Sequence, residues 1–272
     1  MTDHYSNPEF WGYIKEMMER IERECPVRVY VASHTAVGFC PNRLVSVKSM
    51  GNAQVRQSQS LIMDSGIRDP DVDNQFIIEE VERWGRGVDF VVPKDFPNDR
   101  AATIKSLKEF MAIAPSNVED RMLIPLQGRD GPEYLRCYEE AIEVAPRCTY
   151  FGFGGIAGQG ITKASNMTTI AQKRKAVEHL LENTDIERLH LFGQTNLQWR
   201  DLYHHPSIVS CDSAKFGHAV HYDIPRGTGG SQLHAWAEAF EYYKFCMTIS
   251  EGYLPQGRHP KQYDFGGFFD NG

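Results

Sequence analysis

From residue 27 to 214 the chain alternates short apolar or β-branched runs with longer amphipathic stripes, and no other feature restricts its fold as much. The strand candidates are 27–33 (VRVYVAS), 43–49 (RLVSVKS, the weakest), the run Leu61-Ile62-Met63 before Asp64, 88–96 (VDFVVPKDF), 122–128 (MLIPLQG), 149–158 (TYFGFGGIAG), 189–195 (LHLFGQT) and 208–214 (IVSCDSA). Helical stripes at 73–85, 100–114, 133–145 and 169–183 stand between them. A further stripe at 8–25, carrying Phe10, Ile14, Met17, Met18 and Ile21, precedes the first strand, and 231–249 follows the last. Spacings of about 20 to 40 residues are those of βαβ units, which require parallel strands and right-handed crossovers. Eight such strands in one α/β chain predict a single-domain (β/α)8 TIM-type barrel rather than an open sheet. The expected layout is an N-terminal helical segment over 1–26, the barrel over 27–250 and a C-terminal tail over 251–272.

At 272 residues the chain is long enough for one large α/β core. Its formal net charge of −7 argues against a surface that is basic throughout, while leaving room for a local basic groove. Six cysteines form no C-x-x-C pair, and there is no signal-peptide pattern or 18-residue apolar run. Reduced thiols in a cytoplasmic protein without membrane association are therefore expected. No G-x-G-x-x-G follows the first strand and no G-x-x-x-x-G-K-[ST] occurs, so no nucleotide cofactor is expected.

What the strand ends share is chemical type. Asp64, Asp95, Gln127, the Gly154-Gly155 pair, Gly193 and Asp212 all fall where barrel strands open towards a ligand. A single Asp there serves equally well as a helix cap; the recurrence favours a site. Three carboxylates in one mouth repel, so at least one should hold its proton unusually well unless a cation or substrate donors compensate. Metal binding and glycosidic-bond chemistry both use such a cluster. The early strand ends with a lone His34 rather than H-x-H, and His218, His221 and His234 have the spacing of loop histidines, so no metal is expected.

Taken together, the motifs resemble those of the tRNA-guanine transglycosylases, (β/α)8 enzymes that exchange guanine for a 7-deazaguanine. The family's D-S-G corresponds to Asp64-Ser65-Gly66, and its D-I-V-M-x-F-D strand to VDFVVPKD, with Asp89 and Asp95 at the same separation. Its Q-G corresponds to Gln127-Gly128, its G-G-L-A-V-G-E loop to residues 154–160 and its L-M-G to Leu191-Phe192-Gly193. Its nucleophile motif F-D-C-V lies at 210–213. The matches run in order from residue 61 to about 215.

The resemblance implies that Asp212 attacks C1′ to give a covalent glycosyl-enzyme and that Asp64 is the general acid/base. It implies that Asp95, Gln127, Gly154 and Gly155 read the base, with Phe192 and Gly193 beside it. Where the family has an aromatic after D-S-G-G, this chain has Ile67-Arg68, so Arg68, three residues after Ser65, would stack or bind phosphate. Only Cys246 follows Asp212, so the C-x-C-x-x-C…His zinc insertion of the tRNA enzymes is missing, and the chain is shorter than they are. This form resembles the DNA-guanine transglycosylases of phages, archaeal viruses and DNA-modification islands. DNA and a 7-deazaguanine base are thus the expected partners, with tRNA the runner-up and a homodimer or partner subunits open. Lys215 and Lys163 are the leading candidates for phosphate contacts; the cations at 173–175 sit on a helix, where a solvated face suffices. A noncatalytic nucleic-acid-binding subunit and a retaining glycosidase are the other readings.

Overall fold

A computed structural model describes residues 8–32, 40–66, 69–155, 167–216 and 230–250. Eight parallel strands form one curled sheet in the order β4-β3-β2-β1-β8-β7-β6-β5. They are β1 (Arg28–Ala32), β2 (Asn42–Ser46), β3 (Ser60–Asp64), β4 (Phe90–Val91), β5 (Ile124–Leu126), β6 (Tyr150–Phe153), β7 (Arg188–Leu191) and β8 (Ile208–Ser213). The first and last strands pair in register, Tyr30 opposite Asp212, which brings the two ends of the alternating region together. The helices are α1 (Pro8–Glu24), α2 (Asn52–Gln57), α3 (Asn74–Trp84), α4 (Arg100–Ile113), α5 (Ser116–Glu119), α6 (Gly131–Val144), α7 (Ile170–Glu182) and α8 (Gly230–Ser250). The short α2 and α5 have too little apolar periodicity to be legible in the sequence.

Local chemistry explains the boundaries. Asp73, Asp99 and Asp130 accept from backbone N–H groups in the first turns of α3, α4 and α6, and Thr169 closes a capping box on α7 with Gln172. Gly85 ends α3 at φ 56°. On α3 the buried residues Asn74, Ile77, Ile78 and Val81 form one stripe facing the sheet. Side chains on each strand divide by parity. Val29 and Val31 join the layer between sheet and helices, whereas Tyr30 points to the inside of the curl with Leu44, Ile62, Val92, Leu123 and Tyr150. Helices α1 and α8 pack together outside the sheet, and Tyr242 of α8 donates to the Val29 carbonyl at 3.1 Å.

The expected closed barrel is not formed: the sheet curls without a continuous ladder between its edge strands β4 and β5. The two edge strands meet at a single parallel bridge, Val91 against Met122, in which Val91 N–H donates to the Arg121 carbonyl and Leu123 N–H to that of Val91, both at 2.9 Å. The next rung of that ladder would need N–H groups from residues 93 and 125, and both are proline. The ladder stops there, so β4 is two residues long instead of the expected 88–96, and Asp95 lies in the loop beyond it. Among the described residues no helix is long and apolar enough to cross a membrane, and the six cysteines are free thiols. The expected tail over 251–272 lies outside the described residues.

Candidate functional site

Asp64 is the last residue of β3 and Asp212 the fifth of six in β8; Gln127 and Gly154 each directly follow a strand. These positions place them at the C-terminal end of the curl, and the loop carrying Asp95 joins them there. Asp95 is buried, with Ser65 Oγ donating to its Oδ1 at 3.1 Å and Gln127 Nε2 to its Oδ2 at 2.5 Å. Ser65, Asp95 and Gln127 are thus one bonded unit. Each Asp95 oxygen has a second lone pair, so the carboxylate can still accept two parallel N–H donors from a ligand.

Burial pushes the Asp64 carboxyl up to about 7, the negative charges of Asp95 and Asp212 push the same way, and the Gly66 N–H and the Lys94 ammonium oppose them. Asp64 is only partly shielded from solvent, so its low solvation comes with an open side. Burial also raises Asp95, against its bonds from Gln127 and Ser65 and the Lys94 charge. The three predicted carboxylates therefore share one electrostatic environment. Lys94, which the sequence reading passed over, is its buried counter-charge: Nζ donates to the carbonyls of Gly66 at 3.2 Å and Asp69 at 3.0 Å. Gly66 adopts φ 72°, and its N–H donates to Asp64 Oδ2 at 3.1 Å.

Glycine is also required where Gln127 is seated. A Cβ on Gly154 would stand 2.2 Å from Gln127 Nε2, and Gly155, at φ 71°, lies against Tyr134 Oη and Asn98 Oδ1. Asn98 itself has φ 60°, donates its N–H to Gln127 Oε1 at 3.2 Å, and carries a buried Oδ1 with no hydrogen-bond partner. Phe192 lies over Gly152, where a Cβ would come within 2.2 Å of its ring, and beside His190 at 4.6 Å between centroids.

Asp212 is held by Gly193, which the sequence already placed at this mouth, and by a side-chain network that the sequence reading missed. Oδ1 accepts from the Gly193 N–H at 2.8 Å and from His190 Nε2 at 3.1 Å. His190 Nδ1 lies 2.6 Å from Ser210 Oγ, which lies 2.5 Å from Tyr150 Oη. Strand parity could have revealed them: counting back in twos from Asp212 reaches Ser210, from Phe192 reaches His190, and from Gly152 reaches Tyr150.

Of the expected phosphate contacts, Lys215 turns its ammonium to the Thr195 carbonyl at 3.2 Å and over the Phe245 ring at 5.0 Å, and burial lowers its pKa. Arg174 is bidentate to Asp201. Arg68, Lys163, His34, His218 and His221 lie outside the described residues, as does the side chain of His234. Asp89 serves structure, accepting from the Leu61 N–H at 2.7 Å. No group of three His, Cys, Asp or Glu suited to a metal ion occurs among the described residues. A cavity of about 710 Å³ opens at the opposite end of the curl, between α1 and the strand starts, where the Arg188 guanidinium lies 4.4 Å from the Tyr150 ring centre. A scan against protein-family models matches none, and a search of curated proteins returns no match.

Proposed function

We propose that the chain is a (β/α)8 barrel enzyme, a DNA-guanine transglycosylase that exchanges guanine for a 7-deazaguanine through a covalent aspartyl-glycosyl intermediate. The observation that carries this reading is the pairing, in one mouth, of a carboxyl poised near neutral pH, Asp64, with a carboxylate anchored through one oxygen, Asp212. A nucleophile and an acid/base set apart in this way are what a retaining double displacement at an anomeric carbon requires. Asp212 attacks C1′ as the bond to guanine breaks, and protonated Asp64 delivers its proton to the departing base. The incoming base then returns a proton to Asp64 as it displaces Asp212.

Guanine presents N1–H and an exocyclic amine side by side, and the free lone pairs of Asp95 match that pair of donors. Base reading thus falls to Asp95, aligned by Ser65 and Gln127, with Gly154 and Gly155 allowing close approach. The target nucleotide must leave its stack to reach Asp212. The choice of DNA over tRNA rests on the stretch between Asp212 and Gly272, which holds no C-x-C-x-x-C run.

Purified protein should incorporate labelled guanine into DNA and leave tRNA unlabelled, and Asp212→Ala should abolish both incorporation and any denaturation-resistant DNA adduct. Label in tRNA alone would overturn the polymer and keep the chemistry. Exchange that survives Asp212→Ala would remove the nucleophile assignment, and no label with either polymer would favour a noncatalytic binding subunit.

A further inference from the structure

We propose that His190 is a positioning residue: a one-way hydrogen-bond relay from Tyr150 through Ser210 and His190 holds Oδ1 of Asp212, leaving Oδ2 to form and break the glycosyl bond. This deepens the transglycosylase reading and rests on it. Given an ionised Asp212 and a neutral His190, the direction of the relay follows from elementary valence. An ionised carboxylate only accepts, so His190 Nε2 must carry the hydrogen that points at Oδ1, 3.1 Å away. In a neutral imidazole Nδ1 is then an acceptor, and its partner at 2.6 Å, Ser210 Oγ, must donate to it. That uses the Ser210 proton, so Tyr150 Oη donates to Ser210 at 2.5 Å. His190 is fully buried, with its ring edge-on to Tyr30 at 5.9 Å and Phe192 at 4.6 Å between centroids, so it cannot turn over to exchange its two nitrogens.

The arrangement makes the two oxygens of Asp212 unequal. Oδ1 has two donors, the His190 imidazole and the Gly193 N–H; Oδ2 has none among the described residues. In the first half-reaction Oδ2 bonds to C1′ while the C1′–N9 bond breaks, and the electron pair leaves with guanine, which takes the Asp64 proton. In the second half the incoming N9 lone pair attacks C1′, the C1′–Oδ2 bond breaks, its electron pair returns to the carboxylate, and the N9 proton goes to Asp64. Negative charge builds on the carboxylate as Oδ2 departs. Two fixed neutral donors at Oδ1 stabilise that charge without cancelling it, as preorganised donors do at an oxyanion.

The relay therefore acts chiefly on release of the adduct, and this distinguishes it from a merely structural network. In protein labelled with ¹⁵N-histidine, His190 should show Nε2 protonated and Nδ1 bare; an Nδ1–H tautomer or an imidazolium would overturn the relay whatever the enzyme's activity. His190→Phe should slow base exchange about 100-fold, the loss typical of one such donor, while the trapped-adduct fraction at steady state rises. His190→Gln, which keeps an N–H donor, should recover much of that rate. If exchange and adduct fall together in His190→Phe while its thermal unfolding matches wild type, the positioning role is wrong. If wild-type protein forms no adduct and exchanges no base, the transglycosylase reading fails, and the tautomer alone decides whether the relay exists.

Discussion

Asp64 keeps its proton up to about pH 7 because burial and the charges of Asp95 and Asp212 outweigh the Gly66 N–H and Lys94. In an unfolded chain the same carboxyl ionises near 3.9. Between these values the folded state binds a proton that the unfolded state has lost, so this group's contribution to stability is full below about pH 4 and falls as pH rises through 7. The loss is at most about 4 kcal/mol, less because solvent still reaches Asp64. Urea unfolding of Asp64→Asn should therefore show a smaller drop in stability between pH 5 and 8 than wild type; an unchanged drop would show that the slope comes from other groups. Adduct formation by wild type should also decline above about pH 7, as the acid form of Asp64 is lost. Gly154 offers a second test. The methyl of Gly154→Ala would displace the flexible end of Gln127 and break its bond to Asp95. Thermal unfolding should register about 1–3 kcal/mol of lost stability, the penalty for a buried polar group left unpaired, and guanine affinity by calorimetry should fall with it, because Asp95 loses the partner that aligns it.

The strand-end residues Asp64, Gln127 and Asp212 were readable because each sits at or beside the end of an apolar run. At the scale of elements, the joint between α3, α4 and the loop after β4 was not. Asn74 donates from Nδ2 to the Ser106 carbonyl at 2.8 Å and to Ser106 Oγ at 3.0 Å, and its Oδ1 accepts from the Lys94 N–H at 2.9 Å. One buried amide thereby fixes the backbone of the residue whose ammonium holds the Asp64-Ser65-Gly66 loop. In sequence it reads as an ordinary first-turn Asn after the Asp73 cap, because its three partners come from residues 20 and 32 positions away. Asn74→Ala should cost about 1–3 kcal/mol in urea unfolding and, by freeing Lys94, should lower exchange activity. Asp73→Ala, which removes only the cap, should cost about 1 kcal/mol and spare activity; equal losses of activity in both variants would refute the joint's role.

At the scale of the whole molecule, the proposed DNA substrate sets the demand. The net charge is −7, Lys215 turns to the Thr195 carbonyl and Arg174 pairs with Asp201 at the surface, so neither of these two cations is free for a phosphate. Binding to DNA should weaken with salt on a shallow slope, since the slope counts neutralised phosphates. Exchange should run faster on single-stranded or mismatched DNA than on an intact duplex, where unstacking the target adds a few kcal/mol. A filter-binding salt series and matched substrates would check both, and a steep slope or a preference for duplex would contradict them.

The alternation of strands and helices and the strand-end carboxylates could be read from the chain itself, because periodicity and apolar runs are local and recur wherever the same short pattern does. The seam and the relay could not. Pro93 and Pro125 are plain in the sequence, yet that both fall at the seam between the edge strands, where each withholds a donor from the rung beyond Val91 and Met122, depends on how the sheet curls. Tyr150, His190 and Ser210 are spread over three strands, and only side-by-side pairing of β6, β7 and β8 sets them in one line leading to Asp212. Hydrogen bonds reach about 3 Å. Contacts that short between residues 20 to 60 positions apart exist only once the fold has brought their strands together.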